Sequence, residues 1–368
     1  MMIQNNKPSY LYLHVPFCRT ICSYCDFAHC VYQENLADQW LDALQKEIDF
    51  REINPHLRTI YLGGGTPTAL SLQQMERLLK MLDPYSSEIE EYTAEINPET
   101  LDDAKAALLA EHGINRASIG FQASQPSLLK LMGRHHDLPM MHQTVHRLHS
   151  CGIRNISLDL MYSLPGQTMA DLAQSIQDAL SLQPVHLSLY SLTIEPHTLF
   201  AKKNLHHLSD DVEADMYESI EKTLPQYGFH QYEISNFALG DHESIHNKAY
   251  WNYRDFYGIS LGASGKEGWH RYDHTRSLPA YLKDPLMRMD IPLSTHEAMF
   301  EMIMMGLRLK RGVSRKLFAD TFHKEIMDVY GEKARKLIDE GLLEADPLYL
   351  KASERGYEIL NTVLVDLM

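Results

Sequence analysis

Cysteine is scarce in this chain of 368 residues, which has five, and four of them lie in one short stretch from Cys18 to Cys30. Disulfide frameworks belong to small secreted proteins, so in a chain of this size the cluster predicts metal binding or redox chemistry. Long apolar runs are missing too, and none approaches the ~18 residues of a membrane span. The opening residues, MMIQNNKPSY, lack the apolar core of a signal peptide. We therefore expect a cytoplasmic protein with no integral membrane segment.

Positively charged residues are outnumbered, because 34 Lys and Arg stand against 49 Asp and Glu, for a formal net charge of -15. Nonspecific nucleic-acid binding depends on basic surface, so no nucleic-acid partner is expected. Internal repeats and low-complexity segments are also missing. The length predicts one large domain with a smaller one beside it.

The clustered cysteines have the spacing Cys18-x3-Cys22-x2-Cys25. Thiolates are soft ligands that suit zinc or iron–sulfur clusters. Structural zinc usually takes four protein ligands, often from two separated pairs, and the chain has no second CxxC pair. His14 and His29 could complete a zinc site, so a zinc-binding structural protein stays open. Three cysteines on a four-iron cubane, by contrast, leave one iron free for a small-molecule ligand.

Six apolar, β-prone runs alternate with amphipathic helical patterns. The runs begin at Leu11, Thr59, Glu91, Arg116, Asn155 and His186. Alternation of this kind predicts βαβ units and a parallel sheet. The fold class is therefore α/β, and six strands suit a partial (β/α)6 barrel, in which chemistry gathers at the C-terminal ends of the strands. Ser71 is the expected N-cap of one helix, and Gly113 the expected stop of another.

The pattern changes after about Gly228. The stretch from Tyr232 to Asp290 is rich in aromatic residues, glycine and histidine, and helical patterns return from Thr295. The final part, with EGLLE, a strand-like YLKAS and a last helix, predicts a winged-helix-like unit. We expect a core barrel over residues 1–230, a connecting region over 231–294 and a C-terminal helical winged-helix-like domain over 295–368.

Polar residues stand at the predicted strand ends. GGGTPT (63–68) ends the second run, Glu95 and Gln122 end the next two, Asp159 lies in the fifth, and Arg134 follows in a loop. Polar groups in apolar strands are expensive to bury without partners. The guanidinium of Arg134 can donate two parallel hydrogen bonds to a carboxylate. Glu95, Gln122 and Asp159 can accept hydrogen bonds from amine or hydroxyl groups. A zwitterionic, ribose-bearing cofactor would supply such partners, although each residue alone could equally serve a structural hydrogen bond.

The cysteine spacing, with Tyr24 just before the third cysteine, resembles the radical S-adenosylmethionine superfamily. The resemblance implies a 4Fe–4S cluster on Cys18, Cys22 and Cys25, with S-adenosylmethionine chelating the open iron. It further implies cofactor contacts from Tyr12, Tyr24, Gly64, Gly65, Thr66, Glu95, Gln122, Arg134 and Asp159. Radical cleavage of the bound cofactor is the chemistry such a site supports, although whether this chain uses it as an enzyme stays open.

Several motifs together resemble the oxygen-independent coproporphyrinogen III oxidase family throughout the chain. They are LYLHVPFCRTICSYCDF, GGGTPT, AEINP, SIGFQ, LMGRHH, LDLMYSLPGQT and LTIEPHTLF. One branch of that family is the true oxidase, which decarboxylates porphyrinogen propionates, and the other is a heme-chaperone branch. The oxidase has a further cysteine two residues after the third, where this chain has Phe27. It also has a long N-terminal extension, whereas Tyr10 already begins the first strand here.

The stretch HNKAYW (246–251) resembles the HNxxYW motif of the heme chaperones. This resemblance implies heme contacts from His246, Asn247, Tyr250 and Trp251, with His246 facing the iron. It implies transfer of heme to acceptor hemoproteins, such as respiratory ones, and a dimer governed by cluster and cofactor. The heme chaperone is the favoured interpretation, and oxidation of coproporphyrinogen III is the alternative.

Other sulfur-bearing residues have plainer expected roles. Met299, Met302, Met304 and Met305 share one predicted helix, where such spacing usually fills a core. Cys151 is expected to be a buried thiol. Cys30 is a spare thiol, a reactive thiol or a partial replacement for the cysteine missing at Phe27.

Overall fold

A computed structural model describes residues 7–368 of the chain. The first strands are β1 (Tyr10–Val15), β2 (Phe17–Cys18), β3 (Cys30–Val31), β4 (Thr59–Gly64), β5 (Glu91–Ile96), β6 (Arg116–Gln122), β7 (Asn155–Tyr162), β8 (His186–Ser191), β9 (Phe229–Gln231) and β10 (Asn236–Leu239). The others are β11 (Tyr257–Ile259), β12 (Ser264–Glu267), β13 (His270–His274), β14 (Arg288–Pro292), β15 (Val313–Ser314), β16 (Leu343–Ala345) and β17 (Tyr349–Ala352).

Helices connect the strands. The first eight are α1 (Glu34–Phe50), α2 (Leu72–Leu82), α3 (Asp103–Glu111), α4 (Pro126–Met132), α5 (Leu138–Ser150), α6 (Met169–Ser181), α7 (Leu199–Lys202) and α8 (Asp210–Thr223). The second eight are α9 (Ile245–Trp251), α10 (Leu278–Lys283), α11 (Thr295–Gly306), α12 (Arg315–Phe322), α13 (Ile326–Val329), α14 (Gly331–Asp339), α15 (Glu354–Glu358) and α16 (Leu360–Leu367). Within the described residues, no helix is both long enough and apolar enough to cross a membrane.

The main sheet has nine strands in the order β11-β1-β4-β5-β6-β7-β8-β10-β9. Its six central strands, β1 and β4 to β8, are parallel and are the six runs predicted from the sequence. β11 adds to one edge in parallel, while β10 and β9 add to the other in antiparallel orientation. Across residues 7–368 the two edge strands do not pair with each other, so the sheet forms an open, partial barrel.

Local sequence accounts for the helix ends. Ser71 Oγ accepts a hydrogen bond from the Gln74 amide at 3.2 Å, and the Gln74 side chain accepts one from the Ser71 amide. This capping box starts α2 where the sequence predicts. After α3, Gly113 has a φ of +82° and ends the helix in the left-handed region that favours glycine. Both predictions are confirmed.

Residues 7–368 form three apolar clusters, and the two largest occupy different parts of the chain. The larger one packs the main sheet against its helices, and all seven residues of β6 are buried, as in a parallel strand covered on both faces. The smaller one packs α11, α12, α14 and α16 with the antiparallel sheet β15-β17-β16. This arrangement of helices on a small antiparallel sheet matches the C-terminal winged-helix-like unit that the sequence predicts.

The region between the two cores is not a plain linker. β10 and β11 lie within 231–294 and yet pair with the main sheet, and β12, β13 and β14 form a separate antiparallel sheet. The boundaries at 230/231 and 294/295 stay predictions.

Candidate functional site

The loop that carries the cysteines is held at both ends and in its middle. β2 and β3 pair side by side and bring the ends of the loop together. The Ser23 amide donates to the Met132 carbonyl at 2.9 Å, and the Ser23 carbonyl accepts from the Phe200 amide at 3.0 Å. The loop is therefore fixed above the C-terminal ends of the parallel strands.

Cys18, Cys22 and Cys25 line one cavity of about 470 Å³, which we call the cysteine cavity. All three thiols are free. Burial, reinforced by the neighbouring cysteines, raises the pKa of Cys18 to about 12. Three soft thiols converging from one loop on a cavity fit a 4Fe–4S cluster held through three of its irons.

A single metal ion has less support in the geometry. Within residues 7–368 no three His, Cys, Asp or Glu side chains form a group that could hold one metal ion. His14, a ligand in the zinc interpretation, is buried, and its Nε2 donates to the Ala28 carbonyl at 2.6 Å. His14 Nδ1 accepts from the Tyr12 hydroxyl at 2.9 Å. Both nitrogens of His14 are thus already in use.

The glycine turn packs directly against the backbone that leads into the cysteine loop. The Gly65 amide donates to the Val15 carbonyl at 2.7 Å, and the Thr66 amide donates to the Phe17 carbonyl at 2.8 Å. A Cβ on Gly65 would lie 2.7 Å from both carbonyl oxygens, closer than real Cβ atoms come. Gly64 has a φ of +106°. The turn therefore needs glycine both for its backbone path and for its close approach.

Two partly buried carboxyl groups line the cysteine cavity. Glu95 accepts from the Tyr61 hydroxyl at 2.9 Å and from the Gly64 amide at 3.0 Å. Asp159 accepts from Ser118 Oγ at 3.0 Å. Burial, followed by repulsion from Asp159, raises the pKa of Glu95 to about 7, and burial raises that of Asp159 to about 6. Both therefore stand ready to accept hydrogen bonds from a cationic or hydroxyl-bearing ligand.

Arg134 brings a partly buried positive charge to the same cavity. Its guanidinium donates to Asn97 Oδ1 and, at 3.4 Å, to the Tyr24 hydroxyl. Gln122 ends β6 in the left-handed region with a φ of +62°, which turns its side chain at a bulge in the strand pairing. Asn97 was not among the predicted residues, although its position just after Glu95 at the end of β5 is a signal that could have found it.

A second cavity of about 750 Å³ adjoins the first, and we call it the α9 cavity. The two cavities share Asp26, Phe27, Tyr61 and Glu95 as lining residues. Eight of the nine residues that the resemblance assigns to S-adenosylmethionine line the cysteine cavity. Tyr12 is the exception, because it lines the α9 cavity.

The HNKAYW residues His246, Asn247, Tyr250 and Trp251 all line the α9 cavity. They form helix α9, whose first amides are capped by the buried carboxylate of Glu91. His246 is buried, with Nδ1 2.6 Å from Thr59 Oγ1 and Nε2 2.7 Å from the Tyr250 hydroxyl. Burial lowers the pKa of His246 to about 3, so the ring is neutral. Ligation of an iron by His246 would require one of these hydrogen bonds to break.

The four methionines of α11 divide between two environments. Met299 and Met302 are buried in the C-terminal core, as expected. Met304 and Met305 are only partly buried and line the α9 cavity. Met304 also packs against the C-terminal core, so the prediction that all four fill the core is wrong for Met305 alone. Met302 and Met304 are two positions apart and so lie on different faces of α11, because successive residues of a helix are rotated by about 100°.

Cys30 has no place in either cavity. Its thiol points to the Pro16 carbonyl at 3.5 Å, and burial raises its pKa to about 11. Phe27, two residues after Cys25, is 67% exposed and lies at the border of the two cavities.

An open parallel barrel with three thiols above the C-terminal ends of its strands defines a radical S-adenosylmethionine protein. The Radical SAM superfamily profile matches residues 12–179, and the HemN C-terminal domain profile matches residues 293–359. A heme chaperone HemW of Lactococcus lactis is 39% identical over 366 residues, covering 97% of this chain and 96% of the relative. The Bacillus subtilis heme chaperone HemW is 36% identical and covers 96% of this chain and 97% of its own length. The chain belongs to the heme chaperone HemW family.

The fold has a solved counterpart. Coproporphyrinogen III oxidase (HemN) of Escherichia coli, a radical SAM enzyme, superposes with a TM-score of 0.85 at 22% identity. The match covers 98% of this chain and 90% of the oxidase. Membership in the radical SAM superfamily implies a 4Fe–4S cluster and S-adenosylmethionine as cofactors of this chain.

Proposed function

We propose that this protein is a heme chaperone that binds heme in the α9 cavity and passes it to acceptor hemoproteins. The observation that carries the proposal is the position of HNKAYW, which lines a cavity that shares four residues with the cysteine cavity. Bound heme and bound cofactor would therefore share a wall formed by Asp26, Phe27, Tyr61 and Glu95. This shared wall gives cluster and cofactor a direct way to influence heme binding.

In the cysteine cavity, Cys18, Cys22 and Cys25 would hold the cluster. A 4Fe–4S cluster supplies an electron and an open iron for S-adenosylmethionine. Arg134 is positioned to pair with a carboxylate, and Glu95 to accept from an amine. Gly64, Gly65 and Thr66 offer close backbone approach, while Tyr24, Gln122 and Asp159 complete the walls.

The α9 cavity suits a large, flat, amphipathic ligand. Its volume of about 750 Å³ lies within the roughly 300–1,000 Å³ of known ligand pockets. Tyr250, Trp251 and Phe256 provide aromatic surface, and Tyr250 packs edge-on against Phe256 with ring centroids 4.5 Å apart. Arg254, an exposed side chain at the rim, provides a cation for an anionic ligand group. Asn247 adds a polar contact on the same helix.

We propose further that the acceptors include respiratory hemoproteins, that the protein works in the cytoplasm, and that it forms a homodimer. Ile21, 39% exposed, and Phe27, 67% exposed, line the cysteine cavity and place apolar surface at its mouth. We place the contact with an acceptor or a second protomer at this apolar surface.

A heme titration followed at the Soret band tests the proposal. We expect saturable binding by the wild-type protein and weaker binding by the His246→Ala variant, because the Tyr250 hydroxyl loses its partner. His230→Ala is the matched control, since His230 is exposed on β9 and pairs with Glu243 on the surface. Absence of saturable binding, or equal affinity of His246→Ala and His230→Ala, would contradict the heme site.

A second candidate function is oxidation of coproporphyrinogen III by radical chemistry. The observation in its favour is that one cavity gathers the cysteines with Arg134, Glu95 and Asp159. Anaerobic incubation of the reconstituted protein with coproporphyrinogen III and S-adenosylmethionine separates the two functions. Robust formation of protoporphyrinogen would favour the oxidase over the chaperone.

A further inference from the structure

The side chain that binds the iron of the heme can be inferred from the α9 cavity, given the proposed heme binding. Proteins bind heme iron through histidine, cysteine, methionine or tyrosine. The α9 cavity is lined by residues of three of these types, two histidines, four tyrosines and two methionines. The question is which of these has a free electron pair facing the cavity.

The two histidines, His14 and His246, are already bound within the protein. Each has both ring nitrogens in hydrogen bonds of 2.6 to 2.9 Å. Because both rings are buried, breaking such a bond would leave a polar atom without a partner. Either imidazole would therefore have to give up a buried hydrogen bond before it could bind the heme iron.

The four tyrosines are also engaged. The hydroxyls of Tyr12 and Tyr250 are hydrogen-bonded to the two histidines. Tyr61 donates to Glu95 at 2.9 Å, and Tyr253 donates to Glu301 at 2.7 Å. Phenols bind iron well only after they lose the proton, and burial raises the pKa of all four.

The methionines differ from all of these. A thioether is a soft donor that needs no deprotonation, and its sulfur is only a weak hydrogen-bond acceptor. Met304 also packs against the C-terminal core, which restrains it. Met305 lines the cavity and belongs to none of the apolar clusters formed by residues 7–368.

We propose that Met305 is an axial ligand of the heme iron, bound through its Sδ. The bond is dative, so sulfur donates an electron pair, no proton is released and the oxidation state of the iron is unchanged. His246 is then a positioning residue that holds Tyr250 and α9 as one wall of the site. Met305 lies on α11, a second helix that lines the cavity, so the heme would contact both helices.

This assignment has a redox consequence. A neutral, soft thioether stabilises ferrous more than ferric heme and so raises the reduction potential of the bound heme. Leucine has nearly the volume of methionine but no donor atom, so Met305→Leu removes the ligand with little change in packing. Met304→Leu is the matched control on the adjacent position of the same helix.

The test uses the full-length protein loaded with hemin and then reduced with dithionite. With imidazole added as the second axial ligand, a methionine on the ferrous, low-spin heme gives a strongly upfield-shifted methyl signal in the proton NMR spectrum. We expect this signal in the wild-type protein and in Met304→Leu, and its loss in Met305→Leu. The reduction potential of the bound heme should fall in Met305→Leu alone. Far-ultraviolet circular dichroism of both variants checks that the fold is intact.

The outcomes separate this inference from the proposed function. Wild-type protein that does not bind hemin would overturn both. Saturable heme binding with an unchanged spectrum and potential in Met305→Leu would overturn the ligand assignment and leave the chaperone proposal standing. Loss of the methyl signal in Met304→Leu instead would place the ligand one residue earlier and contradict the assignment to Met305.

Discussion

Glu91→Gln should destabilise the protein strongly, because the Glu91 carboxylate fastens α9 to the main sheet. Its carboxylate, on β5, accepts from Ser244 Oγ at 3.0 Å, from the Ile245 amide at 2.8 Å and from the His246 amide at 2.9 Å. The buried guanidinium of Arg116 lies 4.0 Å away, and both side chains are at most 4% exposed.

Glutamine keeps the shape of Glu91 but loses the charge and replaces one acceptor oxygen with a donor. At least one of the three hydrogen bonds is then lost, and bonds to a charged group contribute about 1.5–3 kcal/mol each. Arg116 also loses the carboxylate beside it, and breaking a buried ion pair costs about 3–5 kcal/mol. Because these contributions overlap, we expect Glu91→Gln to lower the free energy of unfolding by about 3–5 kcal/mol.

Urea denaturation followed by circular dichroism measures this loss, and Glu90→Gln is the matched control. Glu90 is the preceding residue, pairs with Arg58 at 2.5 Å and is about half exposed, so its loss should cost less than about 1 kcal/mol. Heme affinity should fall in Glu91→Gln and not in Glu90→Gln, since only Glu91 holds the start of α9. Equal denaturation midpoints for the two variants would refute this account of α9.

Three further predictions concern the cysteine cavity and its support. Gly65→Ala should abolish most iron and sulfide incorporation on anaerobic reconstitution, because its Cβ would meet two carbonyl oxygens at 2.7 Å; wild-type iron content would contradict this. The pKa of Glu95 is raised from 4.5 to about 7, so the cofactor-free protein should lose stability as the pH rises through that interval. In Glu95→Gln the urea denaturation midpoint should depend less on pH across this range. An unchanged pH dependence would count against the raised pKa of Glu95. Ser71→Ala should cost about 1 kcal/mol in urea denaturation through loss of the capping box, and no change would disprove that role.

Much of the fold could be predicted because its signals are local. Each of the six parallel strands is a short apolar run, and the capping pair Ser71 and Gln74 lies within four residues. β11 could not be predicted in this way. Only Tyr257 to Ile259 form it, and its partner β1 lies some 250 positions earlier in the chain. A strand of three residues carries too little periodicity to be recognised without its neighbour.

The residues of the candidate site also fall into those that the local sequence reveals and those that only the tertiary structure reveals. The cysteine spacing, the glycine turn and HNKAYW are each contained in a few consecutive residues and were found from the sequence. The role of Asn97 as a hydrogen-bond partner of Thr66 and Arg134 depends on three separate segments. The cavity position of Met305 depends on which side of α11 the C-terminal core covers.

The sequence by itself determined the parallel α/β barrel, the three cysteines of one loop and the likeness to the heme chaperones, because spacing along the chain carries that information. Only the tertiary structure decided that Tyr12 lines the α9 cavity, that both nitrogens of His246 are hydrogen-bonded, and that Met305 faces the same space. These features depend on contacts between residues distant in sequence. Packing decides which side chains face a cavity, and a buried polar atom such as those of His246 takes whichever partner that packing brings within reach.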